Sequence, residues 1–180
     1  MKKILLPLLG VLFVAACGFE PLYAKKQNNN GWYFGGEFDD SVTKEMASID
    51  IELIAGRFGQ LVRNNLLDLM TPLGAPKKPK YRLYVIPLDK VITQQAMRRD
   101  ITATRERIRY KVNYYLEHNG KKVLTGNSIS FVSYDILSNP YSTTMAQKKT
   151  EDNAAKIIAN DIALRLGAYF HKQMYNKGAY

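Results

Sequence analysis

The chain has 180 residues, 46% of them hydrophobic, and its 26 Lys and Arg outnumber its 16 Asp and Glu to give a net charge of +10. That length supports one domain with a sizeable core. The single cysteine excludes an internal disulfide framework and leaves no thiol cluster for a metal.

The first element is a leader. Lys2 and Lys3 form a positive start, and Ile4 to Ala16 is a thirteen-residue stretch without charge. It is short for a transmembrane helix but suits the hydrophobic region of a secretory signal. The stretch ends in Val14-Ala15-Ala16-Cys17, which resembles the lipobox of bacterial lipoproteins: an apolar residue, two small ones, then cysteine. The resemblance implies cleavage before Cys17 and acylation of its sulfur and its new amino group. Each buried CH₂ of an acyl chain contributes about 0.8 kcal/mol, and several chains together give a stable anchor without a spanning helix. Gly18, where an aspartate would favour the inner membrane, fits outer-membrane sorting.

Three segments are expected: a signal peptide over residues 1–16, lipidated Cys17 with a flexible tether over 17–41, and one domain over 42–180. Loss of the signal leaves 164 residues and a charge of +8. The tether carries Lys25-Lys26-Gln27-Asn28-Asn29-Asn30-Gly31 and then an aromatic cluster of Trp32, Tyr33, Phe34 and Phe38.

The domain reads as α+β, in the order β-α-β-β-β-α. Ile49, Ile51 and Leu53 alternate with Asp50 and Glu52, the pattern of a half-buried strand. Gly56 to Met70 follows as a helix whose Phe58, Leu61, Val62, Leu66 and Leu69 share a face. Pro72, Gly74, Pro76 and Pro79 then break the chain. Strand, helix and strand in this order suggest a right-handed crossover. Tyr81 to Met97 is a long strand with an irregularity expected at Pro87.

Asn119-Gly120 predicts a type I′ hairpin turn, because both positions need positive φ. A two-residue loop pairs His118 with Lys121, so that partner numbers sum to 239. Tyr114 then faces Thr125, Tyr110 faces Ile129, and Ile108 faces Phe131, with all the large residues inward. The same register sends Arg105, Arg107, Arg109 and Lys111 outward at intervals of about 6.8 Å, beside Tyr134, Val132, Ser130 and Ser128. Glu117 opposite Lys122 forms an expected cross-strand ion pair. Eight cations and three anions lie between Arg98 and Lys122, so most of the excess charge belongs to this hairpin.

Asn139-Pro140 marks the start of the closing helix, a capping residue followed by proline. Ala155, Ile158, Ile162, Leu166 and Tyr169 form its inward stripe. Two helices on one face of a four-stranded mixed sheet would leave the cationic face open.

Cys17-Gly18-Phe19-Glu20-Pro21-Leu22-Tyr23 is similar to the mature start of the lipopolysaccharide-assembly lipoproteins, the LptE family, in its alphaproteobacterial branch. The likeness continues in Arg57-Phe58-Gly59-Gln60-Leu61-Val62-Arg63-Asn64, Ala103-Thr104-Arg105, Ser133-Tyr134-Asp135-Ile136-Leu137, Asn139-Pro140-Tyr141 and Ile162-Ala163-Leu164-Arg165-Leu166. It implies two helices on a four-stranded sheet, attachment to the periplasmic side of the outer membrane, and a place inside the large β-barrel LptD. Assistance in assembling that barrel and delivery of lipopolysaccharide to the outer leaflet follow from the same resemblance. Gln27 to Phe38 departs from the family pattern.

Catalytic chemistry has no constellation to support it. His118 and His171 stand apart, and the sequence holds neither a phosphate-binding glycine loop nor a nucleophile elbow. No cofactor or metal is expected. Arg105, Arg107, Arg109 and Lys111 are the candidate ligand residues, directed at lipopolysaccharide phosphate. The alternative reading is a membrane-anchored binder of another anionic polymer, peptidoglycan or nucleic acid. Nucleic acid is disfavoured because Tyr110 and Tyr114, its candidate stacking rings, point inward.

The anchor is open to a direct check. Cys17→Ser should abolish labelling by radioactive palmitate and leave an uncleaved or periplasmic product; undiminished labelling would contradict the lipobox.

Overall fold

The structure, a computed structural model, describes residues 40–72, 74–97 and 103–177. Cys17, the tether through Phe38, and Arg98 and Arg99 lie outside these residues. The described elements are α1 (Asp40–Met46), β1 (Ile49–Ile51), α2 (Gly56–Met70), β2 (Tyr81–Met97), β3 (Ala103–His118), β4 (Lys121–Asp135) and α3 (Pro140–Lys177).

One mixed sheet has the order β1-β2-β3-β4. β1 runs parallel to β2, and the other neighbours are antiparallel. α2 and α3 lie side by side over one face, and among the described residues the opposite face carries no helix. This is the α+β arrangement expected from the alternation pattern.

The short helix α1 has no counterpart in the sequence reading. It is only seven residues long, below the length at which periodicity is informative. Val42 and Met46, one turn apart, are buried against α3. β1 is shorter than expected. Ile49 and Ile51 are buried, while Leu53 lies beyond the strand and is 86% exposed.

α2 spans the predicted residues and buries Gly59, Val62, Leu66 and Met70. Gly59 is needed for close packing, since a Cβ there would stand 2.5 Å from the Ile54 side chain. β2 has its irregularity where Pro87 predicts it: the register with β3 shifts between Pro87 and Asp89.

α3 begins at Pro140, and Asn139 Oδ1 accepts a hydrogen bond from the Tyr141 amide at 2.9 Å. Its 38 residues extend over about 57 Å, enough to run the full length of β4. Ala155, Ile158, Ile162 and Leu166 are buried as expected, but Phe170, not Tyr169, closes the stripe at 2% exposure. Ala154, Ala159 and Ala163 are also buried, so the helix approaches the sheet on small side chains.

The β3–β4 hairpin corrects the predicted register. Asn119 and Gly120 have positive φ of 50° and 75°, as the turn requires, and His118↔Lys121 and Glu117↔Lys122 pair as expected. The register then shifts at a bulge: Leu116 pairs with Leu124, Tyr110 with Ser130, Ile108 with Val132 and Arg105 with Asp135. Val123 is the extra residue, and every later β4 side chain changes face. Ser128 and Ser130 are 1% exposed, whereas Ile129 and Phe131 are 41% and 54% exposed.

Packing against α3 explains this outcome. Tyr110 and Tyr114 already fill the inner face of β3, both 3% exposed. A Cβ on Gly126 would stand 2.5 Å from the Tyr114 hydroxyl, so the ring needs a bare backbone beside it. Isoleucine and phenylalanine on the inner face of β4 would overfill the same layer; serine and glycine fit.

The register has a thermodynamic signature. In denaturant unfolding, Ile108→Ala should cost about 2–5 kcal/mol, and Phe131→Ser less than about 1 kcal/mol. A loss of several kcal/mol from Phe131→Ser would restore the bulge-free register.

Candidate functional site: the uncovered face of the sheet

Outward residues of β2, β3 and β4 form seven cross-strand rungs. Starting from the turn, they are Arg82–Glu117–Lys122, Tyr84–Tyr115–Thr125 and Ile86–Asn113–Asn127. Beyond the β2 bulge come Asp89–Lys111–Ile129, Val91–Arg109–Phe131, Thr93–Arg107–Ser133 and Gln95–Arg105–Asp135. The four predicted cations thus share one face of one strand. Their β4 neighbours are Ile129, Phe131, Ser133 and Asp135, replacing the serines, valine and tyrosine expected from the simpler register.

The face carries six cations against three carboxylates, and the cations are not equivalent. Arg105 Nε donates to Asp135 Oδ1 at 2.7 Å, and this guanidinium holds the Asp135 carboxyl below its usual range. Arg109 Nη2 donates to Asp89 Oδ2 at 3.0 Å, while its Nε is buried and has no acceptor among the described residues. Arg107 lies 4.6 Å over the Phe131 ring. Arg107 and Lys111 have no carboxylate partner among the described residues.

Val91, Thr93, Gln95, Arg107, Arg109 and Phe131 line a depression of about 200 Å³. Two guanidinium groups and two apolar side chains meet there, so an oxyanion and an adjoining hydrocarbon can be held together. The turn end differs. Tyr84 and Tyr115 stack at 4.6 Å and 14°, and Lys122 Nζ lies 4.2 Å from the Tyr115 ring centroid. Lys122 therefore covers an aromatic ring beside its expected partner Glu117. With neighbours on both faces of Tyr115, this ring offers no stacking platform to a base.

Residues 28–166 match the lipopolysaccharide-assembly family LptE. The chain belongs to that family. It resembles a chain from Caulobacter crescentus CB15 described as a lipoprotein, with 27% identity, a TM-score of 0.60, and 71% of this chain and 94% of that one covered. A minor lipoprotein from Acinetobacter baumannii shares the fold at 16% identity and a TM-score of 0.52, over 67% of this chain and 90% of its own. Lipoprotein B from Nitrosomonas europaea shares it at 10% identity and 0.51, over 77% and 94%. No curated protein matches the chain. Membership gives this protein a role in lipopolysaccharide assembly.

Other sequence candidates fall elsewhere. His118 sits beside the turn, its Nδ1 2.9 Å from the Lys80 carbonyl and its ring 4.7 Å from Tyr81. Among the described residues no three His, Cys, Asp or Glu side chains gather as a metal site, and no helix is long and apolar enough to cross a membrane. Ile129, Phe131 and Val91 are members of the face that sequence reasoning missed. The run Gly126, Ser128, Ser130 carried their signal, being the small-residue set that suits a closely packed helix.

Two inner-face tyrosines have distinctive titrations. Burial pushes Tyr110 up to about 12, and burial together with its hydrogen bond to Glu106 does the same for Tyr134. An unfolded tyrosine ionises near 10. The folded state therefore keeps protons that the unfolded state sheds between about 10 and 12, and this contribution to stability is complete below 10 and lost as pH rises through 12. Ultraviolet titration should show a late-ionising fraction that Tyr110→Phe and Tyr134→Phe each reduce. Unchanged late ionisation in both variants would contradict these environments.

Proposed function

We propose that the protein is an outer-membrane lipoprotein, anchored through Cys17, that occupies the lumen of an LptD-like β-barrel and helps lipopolysaccharide pass to the outer leaflet. The observation that carries this reading is the mixed chemistry of the uncovered face: Arg107 and Arg109 stand among Val91, Ile129 and Phe131 with no helix of the described residues above them. Lipopolysaccharide is an anionic amphiphile with phosphates beside acyl chains, and both parts have counterparts on this face. A purely polyanionic partner would gain nothing from the exposed isoleucine, valine and phenylalanine.

The opposite surface supports residence in a lumen. Ile157, Leu164 and Tyr175 are exposed on α3 at 45%, 53% and 76%. Their spacings of seven and eleven residues place them along one helical line. Exposed apolar groups on both the sheet face and α3 suit enclosure by a surrounding wall better than free solution.

In this role Arg107 and Arg109 bind a lipopolysaccharide phosphate, Arg105 and Lys111 extend the positive field along β3, and Phe131 and Val91 contact hydrocarbon. The domain binds and positions lipopolysaccharide and carries out no reaction of its own.

Depletion should lower the amount of correctly folded barrel, and the two proteins should co-purify in mild detergent. With purified protein, Arg107→Gln with Arg109→Gln should weaken lipopolysaccharide binding at unchanged circular dichroism. The parent's binding should fall as salt rises, and the variant's less steeply. A double variant that binds lipopolysaccharide as well as the parent but no longer joins the barrel would make this face a protein interface instead.

A further inference from the structure

β4 is an edge strand, with β3 on one side and no strand on the other among the described residues. Its ladder shows which backbone groups that leaves unused. The Ile136 amide donates to the Thr104 carbonyl at 2.9 Å, and these two residues continue the register in which Arg105 pairs with Asp135. In an antiparallel ladder, directly bonded pairs alternate with unbonded ones. Even-numbered residues from Leu124 to Tyr134 therefore bond to β3. Thr125, Asn127, Ile129, Phe131 and Ser133 direct their N–H and C=O groups away from the sheet. All five are exposed, and among the described residues no backbone group from outside the ladder bonds to them.

The sequence treats the two free edges differently. Beyond Leu83, where the pairing with β1 ends, β2 carries Pro87, a bulge, Asp89 and Lys90, features that discourage a further strand. From Val123 to Tyr134, β4 has neither proline nor charge. Its bulge lies near the turn and leaves the strand regular from Leu124 onward. Ile129 and Phe131 add exposed apolar side chains beside the outward backbone groups. A long, uncharged edge of this kind is a template for another strand.

The charges at its ends name the occupant. Lys121 and Lys122 stand at one end of β4 and Asp135 at the other. A parallel copy in register would bring like charges together, whereas an antiparallel copy sets each pair of lysines beside the other's Asp135. Only residues with outward backbone groups can bond across such a junction. A two-fold axis at Ile129 meets that condition: Ile129 faces Ile129 of the second copy, Asn127 faces Phe131, and Thr125 faces Ser133.

We infer that two copies of this chain join edge to edge through β4 in this antiparallel register, making one sheet with four strands from each copy. The outer faces then run on continuously, with Ile129 and Phe131 at the centre. The pairing concerns copies not enclosed by a barrel and does not depend on the lipopolysaccharide reading.

Cys17 is the chain's only cysteine, and with its sulfur acylated a cysteine introduced into β4 can form a disulfide only with another molecule. The test uses full-length protein from cells on non-reducing gels. Ile129→Cys should give a disulfide-linked dimer, since directly bonded partners stand about 5.5 Å apart between Cα atoms, within reach of a bridge. Thr125→Cys and Ser133→Cys would each lie about 27 Å from their counterparts, and should give about tenfold less dimer or below. Asn127→Pro removes an outward N–H that β3 does not use. Added to Ile129→Cys, it should cut the dimer to a similar extent at unchanged circular dichroism, while Asn127→Ala should not. No dimer from Ile129→Cys, equal dimer from all three positions, or a disulfide to a different protein alone would overturn the inference. So would a dimer that survives Asn127→Pro. Should that variant lose its structure, the comparison of the three cysteine positions decides.

Discussion

The long helix α3 lies against β4, and the space between them decides which of the strand's two sets of residues can face inward. One set is Gly126, Ser128 and Ser130; the other contains Ile129 and Phe131. Tyr110 and Tyr114 already fill the neighbouring strand's inner face, so only the small set fits. The bulge at Val123, three residues beyond Gly120, brings that set inward. Almost everything about the outer surface follows from that displacement. It places Phe131 beneath Arg107 and Asp135 beside Arg105, and it turns a plain cationic stripe into an amphiphilic face.

The pairing on that face limits its electrostatics without silencing them. Arg105 and Arg109 hold carboxylates, but both pairs are about half exposed, and such pairs contribute little because solvent and salt screen them. A phosphate can therefore compete for the guanidinium groups at small cost. Arg107 is differently placed, on an aromatic ring with no carboxylate partner among the described residues to displace. A guanidinium lying over a ring can still donate its in-plane N–H groups to an oxyanion. Lysine in its place would keep the charge and lose that directed geometry.

Much of the fold was legible because its signals are local. Asn119-Gly120 set the turn, Pro87 the irregularity in β2, Asn139-Pro140 the start of α3, and the spacing of Val62 and Leu66 the buried side of α2. The outward set on β3 was legible too, since Ile108, Tyr110, Val112, Tyr114 and Leu116 leave one possible inner face. β4 was not. Its two faces are both partly apolar, and hydrophobicity alone favours putting Ile129 and Phe131 inside. The choice is made by the volume available under α3, a tertiary quantity that no alternation pattern reports.

On this reading lipopolysaccharide contacts the uncovered face of the sheet through the side carrying Phe131. A photo-crosslinking amino acid placed at position 131 in living cells tests it directly, with Leu164 on the opposite surface as the control position. Irradiation should yield a lipopolysaccharide adduct from position 131 and none from position 164. An adduct from position 164 alone, or only a barrel protein captured at position 131, would contradict the account.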